Sequence, residues 1–171
     1  MSANHRQSDG IWLRIFKKGS GERSITYAEA LDEALCFGWI DGQKRPYDDS
    51  SWLQRLTRRR PKSGWSKRNT EHAERLIRAR RMKPAGQAEI DAAKKDGRWS
   101  AAYDSPSNAT LPEDFLAALG RNRRAKLFFE SLNKANRYAI AYRLQTAKKP
   151  ETRQRRVEMI LGMLGRGEAF H

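Results

Sequence analysis

Asp41 is the carboxylate whose neighbours are most suggestive of a site, because it follows a Trp-Ile pair and precedes a glycine in "CFGWIDGQ", residues 36–43. If this stretch is a strand, Trp39, Asp41 and Gln43 lie on one face, since successive side chains of a strand alternate. The next predicted strand, "WLQRLTRR", presents Arg55 beside them. These four residues are the candidate ligand pocket.

Two interpretations of Asp41 stay open. In the structural one, the carboxylate forms an ion pair with Arg55 across the sheet or accepts hydrogen bonds from backbone amides. In the catalytic one, burial raises the pKa of the aspartate and makes it a general base. No second catalytic group lies at a suitable spacing, and Asp48 and Asp49 occupy a serine-rich turn, where aspartate is common. We therefore assign no catalytic residue.

The other residue types that do chemistry are scattered along the chain. His5, His72, His171 and the single cysteine, Cys36, show no spacing typical of zinc ligands, and one cysteine forms no internal disulfide. Neither G-x-x-x-x-G-K-[ST] nor G-x-G-x-x-G occurs, so the known phosphate-binding loops are absent from the sequence. We expect neither a metal nor a cofactor.

The net charge of +15 is concentrated in two segments. Residues 55–83 contain 12 basic and 2 acidic side chains, and residues 121–171 contain 13 and 4, so these segments hold the whole excess. If both face the same way, they attract polyanions. The candidate anion-binding residues cluster in the first segment and are Arg58, Arg59, Arg60, Lys62, Trp65, Lys67 and Arg68.

Each part of this cluster has a second interpretation. Guanidinium groups bind phosphate and carboxylate with two hydrogen bonds at once, and an exposed Trp65 can stack on a base. Alternatively, Trp65 anchors the core, and the arginines form an ordinary solvated surface. The sequence alone does not decide between the two.

The first half of the chain alternates strand and helix signals. "IWLRIFKK" (11–18) alternates like a strand, and Thr26 with Glu29 forms a capping box that begins a helix. Gly38 ends this helix, which requires a positive φ. Two more strands follow before Pro61. We predict an α+β part at residues 9–105, with a small antiparallel sheet and helices, after a disordered tail at residues 1–8.

The second half has helical periodicity throughout. Ser66 begins one helix, and Pro84 begins another that ends before Gly97. Thr110 and Glu113 predict a second capping box, with Gly120 as the terminator. The last helix, from Pro150, buries a stripe of Val157, Ile160, Leu161 and Leu164 against the segment containing Phe128 and Tyr138. Residues 106–171 are therefore predicted to be a helical C-terminal module.

Four segments occur in order: "TYAEALDEALCFGWIDGQ" (26–43), "WLQRLTRRRPKSGWSKRN" (52–69), "RMKPAGQAEIDAAKKDGRW" (81–99) and "NRYAIAYRLQTAKKPETRQRR" (136–156). Together they resemble the bacterial YdeI/OmpD-associated family, often labelled bacteriocin-protection proteins, over residues 11–171. The resemblance implies an α+β front half and a helical module from about residue 110. It implies no established reaction. Lys83 departs from it, because a small hydroxyl residue is expected to cap the next helix there.

Three functional hypotheses follow. The first is a small basic binding or stress-tolerance protein that acts on an anionic partner or ligand. The second is a sequence-tolerant nucleic-acid-binding protein, although no recognised motif supports it. The third is a small-molecule enzyme that uses Asp41. The sequence has no run of 18 apolar residues and no apolar N-terminal segment, so we expect no membrane span and a cytoplasmic protein. The oligomeric state is open.

Overall fold

A computed structural model describes residues 1–106 and 108–171. The chain divides into two compact units, Met1–Ala102 and Tyr103–His171, whereas the sequence placed the boundary after residue 105. The first unit contains a three-stranded antiparallel sheet with helices, and the second is helical, which confirms the α+β class. Within the described residues, no helix has the length and apolar character needed to cross a membrane.

The sheet of the first unit has the strand order β1-β3-β2. The strands are β1 (Gly10–Phe16), β2 (Trp39–Pro46) and β3 (Ser51–Arg58). Residues that lie directly opposite each other share a face, as Trp12 and Arg55 do across β1 and β3. We call the face with Trp12 the outer face. The inner face carries the buried residues Ile15, Trp39 and Leu56.

Three helices complete the first unit, and their starts follow local signals. Helix α1 (Tyr27–Cys36) begins with the predicted capping box of Thr26 and Glu29. The hydroxyl of Ser66 caps helix α2 (Lys67–Arg78), as expected. Helix α3 (Pro84–Lys95) has Lys83 at its N-cap and no side-chain hydrogen bond there. The core between them is built from Leu31, Leu35, Trp65, Leu76 and Ile90.

Helix α3 begins directly against the end of α1, and two glycines make this contact possible. A Cβ at Gly86 would overlap the carbonyl oxygens of Leu35 and Cys36. Gly38 has φ +75°, as predicted, and a Cβ there would lie 2.9 Å from the carbonyl oxygen of Ala85. The amide of Lys83 donates to the carbonyl of Cys36 at 3.2 Å, which ties the two helix ends together.

The N-terminal residues, predicted to be a disordered tail, lie against the first unit. The indole Nε1 of Trp39 donates to the carbonyl oxygen of His5 at 3.2 Å. The His5 ring packs on Phe37 with ring centroids 4.9 Å apart, and Met1 packs against the core. A buried indole N–H needs an acceptor, and here the N-terminal segment supplies it.

In the described part of the second unit there are four helices: α4 (Glu113–Gly120), α5 (Arg123–Ser131), α6 (Lys134–Gln145) and α7 (Pro150–Arg166). The predicted capping box at Thr110 is wrong, because α4 begins at Glu113 itself, with Pro112 as its N-cap. A capping box needs the glutamate three residues beyond the cap. Gly120 is likewise the last residue of the helix and not a left-handed terminator.

The stripe on α7 lies in the core of this unit, as predicted. Ile160 and Leu164 are buried, while Val157 and Leu161 are partly buried. Phe128 packs against the same cluster, together with the buried rings of Phe115 and Phe129. Tyr138 lies elsewhere, on the wall of a cavity of about 690 Å³ that Tyr142 and Arg143 also line.

We predict that Gly38→Ala destabilises the first unit more than Gly97→Ala does. Both glycines have φ near +75°, but a Cβ at Gly97 meets no atom within 4 Å. The stability lost in Gly97→Ala therefore measures only the strain of an alanine in the left-handed conformation, which is about 1 kcal/mol. Gly38→Ala adds the overlap with Ala85, about 1–3 kcal/mol more. Urea unfolding of the two variants measures the difference, and equal losses would show that the helix contact is not tight.

Candidate anion-binding site

Asp41 is held by a tyrosine and not by an arginine. The hydroxyl of Tyr27, at the start of α1, donates to the Asp41 carboxylate at 2.6 Å. Both side chains are partly buried, whereas Asp41 was predicted to be largely buried. Burial, followed by the hydrogen bond to Asp41, raises the pKa of Tyr27 above its usual range. Tyr27 therefore stays protonated and keeps donating to the carboxylate.

The predicted partnership of Asp41 with Arg55 is wrong. Asp41 lies directly opposite Leu56, so Arg55, the next residue of β3, belongs to the other face of the sheet. A β-bulge between Asp41 and Lys44 then breaks the alternation of β2. The buried amide of Gln54 donates to the carbonyl of Gly42 at 3.1 Å within this bulge.

The four residues of the candidate ligand pocket are therefore not brought together. Trp39 is only 2% exposed and belongs to the core. Gln43 is exposed in the bulge, and Arg55 lies on the outer face. Arg55 is separated from Asp41 by the register of β2 against β3, which alternation within one strand does not determine, and Gln43 lies within the bulge that follows Asp41.

The predicted anion-binding cluster divides into buried and exposed members. Trp65 is 2% exposed and packs on Trp99 with ring centroids 4.9 Å apart, so it anchors the core and does not stack on a ligand. Arg59 is 6% exposed, and its guanidinium lies 3.4 Å from the centroid of the Trp65 ring. The exposed members are Arg58, Arg60, Lys62, Lys67 and Arg68.

Arg58 and Arg59 line a small cavity in the first unit. Its volume is about 150 Å³, and its remaining walls come from the N-terminal segment, the end of α1 and the first turns of α3. Three of its lining residues are arginines and one is a glutamate, so the charge around it is predominantly positive. The lining residues are His5, Arg6, Phe37, Gly38, Arg58, Arg59, Ala85 and Glu89.

Each wall of the cavity has a local structural cause. Arg58 is the last residue of β3 and pairs with Trp39, and the amide of Arg59 donates to the carbonyl of Gly38 at 3.1 Å. Ala85 lies in the first turn of α3, whose N-cap side chain makes no hydrogen bond. The positive end of the helix dipole favours an anion at such a turn.

His5, one of the lining residues, has a buried polar atom in its ring. Its ring Nδ1 is buried and has no hydrogen-bond partner within the part of the chain that the structure describes. His5, Arg6 and Glu89 were not predicted as site residues. His5 and Arg6 fall in the N-terminal segment, whose composition gave no signal of order, and all three are distant in sequence from β3.

A second polar cluster of the first unit lies between α1 and α2. The carboxylate of Asp32, 8% exposed, accepts hydrogen bonds from Arg75 at 2.5 Å and from His72 at 3.2 Å. Arg81 lies 3.6 Å from its other oxygen. Burial favours a raised pKa for Asp32, but the hydrogen bonds and charges of Arg75 and His72 lower it overall. The cluster is therefore a satisfied ion-pair network that ties α2 to α1.

No metal site accompanies these clusters. Among the described residues, no three histidine, cysteine or acidic side chains are grouped closely enough to hold a metal ion. Cys36 is a free, buried thiol, and burial raises its pKa.

The fold and this site define a basic protein with an α+β unit followed by a helical unit. The chain belongs to the family described as a domain of unknown function (DUF8412), whose model matches residues 1–89. Residues 108–167 match the family described as "Bacteriocin-protection, YdeI or OmpD-Associated", which confirms the resemblance seen in the sequence. The first two of the four quoted segments thus fall in the domain of unknown function. No curated protein and no solved structure matches the chain.

We predict that Tyr27 and Asp41 are energetically coupled. Tyr27→Phe and Asp41→Ala each remove the hydrogen bond between the hydroxyl and the carboxylate. Each should lower the free energy of unfolding by about 1 kcal/mol or more. The double variant should then lose less than the sum of the single variants. Urea unfolding at neutral pH measures this cycle, and strictly additive losses would mean that the bond contributes nothing.

The Asp32 network predicts a pH dependence with a defined sign. The pKa of Asp32 is lower in the folded protein than its ordinary value of 3.8, so its stabilisation is present above that value and is lost as the pH falls below it. Asp32→Asn should cost about 1.5–3 kcal/mol near pH 7. The difference from wild type should shrink below about pH 4.

Glu33→Gln is the matched control for the Asp32 variant. Glu33 is the neighbouring residue, is half exposed and lies 4.0 Å from Arg81. An exposed ion pair of this kind contributes about 0–1 kcal/mol. Urea unfolding at several pH values compares the two variants, and a constant cost of Asp32→Asn down to pH 2 would contradict the network.

Proposed function

We propose that the protein binds an anionic ligand or partner and that the 150 Å³ cavity takes a phosphate or carboxylate group. The observation that carries this proposal is that three arginines, Arg6, Arg58 and Arg59, line one small cavity together with His5. Guanidinium groups suit such ligands because their fork of N–H donors matches two oxygens at once.

The size of the cavity supports one charged group and not a whole ligand. Pockets for drug-sized molecules span about 300–1,000 Å³. A space of about 150 Å³ takes a phosphate or carboxylate while the rest of the partner stays outside. Arg59 is already fixed by stacking on Trp65 and by a hydrogen bond from its Nη1 to the carbonyl of Gly64. Such prior ordering reduces the entropy lost on binding.

We further propose a role in stress tolerance in the cytoplasm, without chemistry of the protein's own. The family matched by residues 108–167 is described by bacteriocin protection, which fits a protein that binds a partner or ligand. An enzyme based on Asp41 has less support. The carboxylate is engaged by Tyr27 and is not among the residues that line the cavity.

Inorganic phosphate tests the cavity by its effect on the melting midpoint. With a Kd of about 1 mM, about 50 mM phosphate stabilises the folded state by about 2 kcal/mol over chloride of equal ionic strength. Phosphate also stabilises proteins because it is excluded from their surface. The shift in a variant without the site must therefore be subtracted from the shift in wild type. Arg58→Gln should lose the specific part of the shift.

Arg60→Gln is the control for this experiment. Arg60 is an exposed arginine two residues away that does not line the cavity, so its variant should keep the full phosphate effect. Citrate in place of phosphate tests the carboxylate alternative with the same pair of variants. If Arg58→Gln and wild type shift equally with both anions, the cavity is not an anion site.

A further inference from the structure

The outer face of the sheet carries aromatic and cationic side chains in alternation. Trp12, Arg14 and Phe16 follow each other at every second position of β1. Arg55 lies opposite Trp12, and Arg45 lies opposite Leu53, which itself lies opposite Arg14. None of these side chains belongs to the buried core of the first unit, as far as the described residues show.

Arg14 has a structural role on this face. Its guanidinium lies 4.4 Å from the centroid of the Phe16 ring and 4.7 Å from that of Tyr47. Its N–H edge is used as well, because it donates to Asp48 at 2.7 Å and to Ser51 at 3.0 Å. The pKa of Asp48 is lowered to about 2, mainly by the hydrogen bond from the Ser51 side chain and further by those from Ser50 and by the charge of Arg14. Arg14 is therefore neutralised at physiological pH.

Arg45 and Arg55 are arranged differently. Their guanidinium groups lie 4.4 Å and 5.5 Å from the centroid of the Trp12 ring. Neither makes a side-chain hydrogen bond or an ion pair with any residue that the structure describes. Stacking occupies the flat face of a guanidinium and leaves its N–H edge to bind oxygen atoms. These two arginines keep both their charge and their donors.

Gly10 makes room for Arg55, which also lies close to Gly42 on the other neighbouring strand. A Cβ at Gly10 of β1 would lie 2.7 Å from its Nη2 atom, and a Cβ at Gly42 of β2 would lie 3.7 Å from its side-chain carbons. The side chain therefore lies over the backbone of both neighbouring strands, with its guanidinium 5.5 Å from the centroid of the Trp12 ring. A cation held in place in this manner loses little entropy when it binds a ligand.

We propose that the outer face, around Trp12, Arg45 and Arg55, binds single-stranded nucleic acid. An unpaired base can stack on an aromatic ring or on the plane of an arginine, and the exposed Arg45 on Trp12 offers such a stack. The phosphates are complementary to the two arginines that no carboxylate neutralises. Paired bases in a duplex hide their faces, so the aromatic row favours a single strand.

This surface is separate from the cavity assigned above. Arg58 pairs with Trp39 on the inner face, whereas Arg45 and Arg55 belong to the outer face. The proposal therefore goes beyond the anion site and does not rest on it. Arg58→Gln should lose the specific part of the phosphate effect and leave oligonucleotide binding through the outer face in place.

Fluorescence anisotropy with a labelled oligothymidylate of about 16 nucleotides tests the proposal. Wild type should bind this strand more tightly than a duplex of equal length at about 0.15 M salt. Trp12→Leu should weaken binding about tenfold, as loss of one stacked base does. Arg45→Gln, at an exposed position where folding is not at risk, should reduce the salt slope by about 0.7.

The opposite face of the same sheet supplies the matched control. Lys44 lies 4.6 Å from the centroid of the Trp52 ring there, so Lys44→Gln removes one charge from a similar pair. This variant should bind like wild type. Melting curves establish that each variant is folded.

Four results would overturn the proposal. They are no binding of the single strand by wild type, equal binding of duplex and single strand, unchanged affinity in folded Arg45→Gln and Trp12→Leu, or an equal loss in Lys44→Gln. Competition by polyglutamate as strong as by the oligonucleotide would also overturn it, since the surface would then bind negative charge alone.

Discussion

The close contact between the end of α1 and the start of α3 is the constraint on which the first unit depends. Two carbonyl oxygens of α1 lie where a side chain at Gly86 would be, so only glycine lets α3 begin there. The same contact fixes Gly38, whose left-handed φ turns the chain from α1 into β2. The carbonyl of Gly38 then accepts from the amide of Arg59, which holds the end of β3 beside the first turn of α3. The walls of the cavity follow from a backbone contact and not from the charges that line it.

The parts of this fold that the sequence predicted correctly depend on residues within about four positions of each other. The capping box of Thr26 and Glu29, the cap at Ser66 and the left-handed Gly38 are of this kind. Each is a hydrogen bond or a dihedral preference that the local chain satisfies by itself. The capping box predicted at Thr110 failed because the same two residue types, three apart, also occur where a proline delays the helix.

The register of the strands was not predicted in this way, because it depends on hydrogen bonds between residues distant in sequence. The sequence predicted that Asp41 and Arg55 are neighbours, but alternation within each strand does not determine how the two strands pair, and one residue of offset moves a side chain to the other face. The cavity was also not predicted from the sequence, because its lining residues, among them His5, Arg58 and Glu89, come from separate parts of the chain. Only the basic segment after residue 55 was visible in the sequence, and its aromatic residue, Trp65, proved to be core.

The net charge of +15 does not show which cations are available to a partner, whereas the contacts of each arginine do. Arg75 is paired with Asp32 and Arg14 with Asp48, and the buried Arg98 is paired with Asp96. The charges of these three arginines are largely cancelled by the carboxylates beside them. Arg45, Arg55 and Arg58 have no carboxylate partner among the described residues, although two of them are held against Trp12. Folding has already ordered these two side chains without neutralising them. An anion that reaches them gains full Coulomb attraction, and little further ordering is needed, so recognition is expected at the ordered, unpaired cations and not wherever the sequence is most basic.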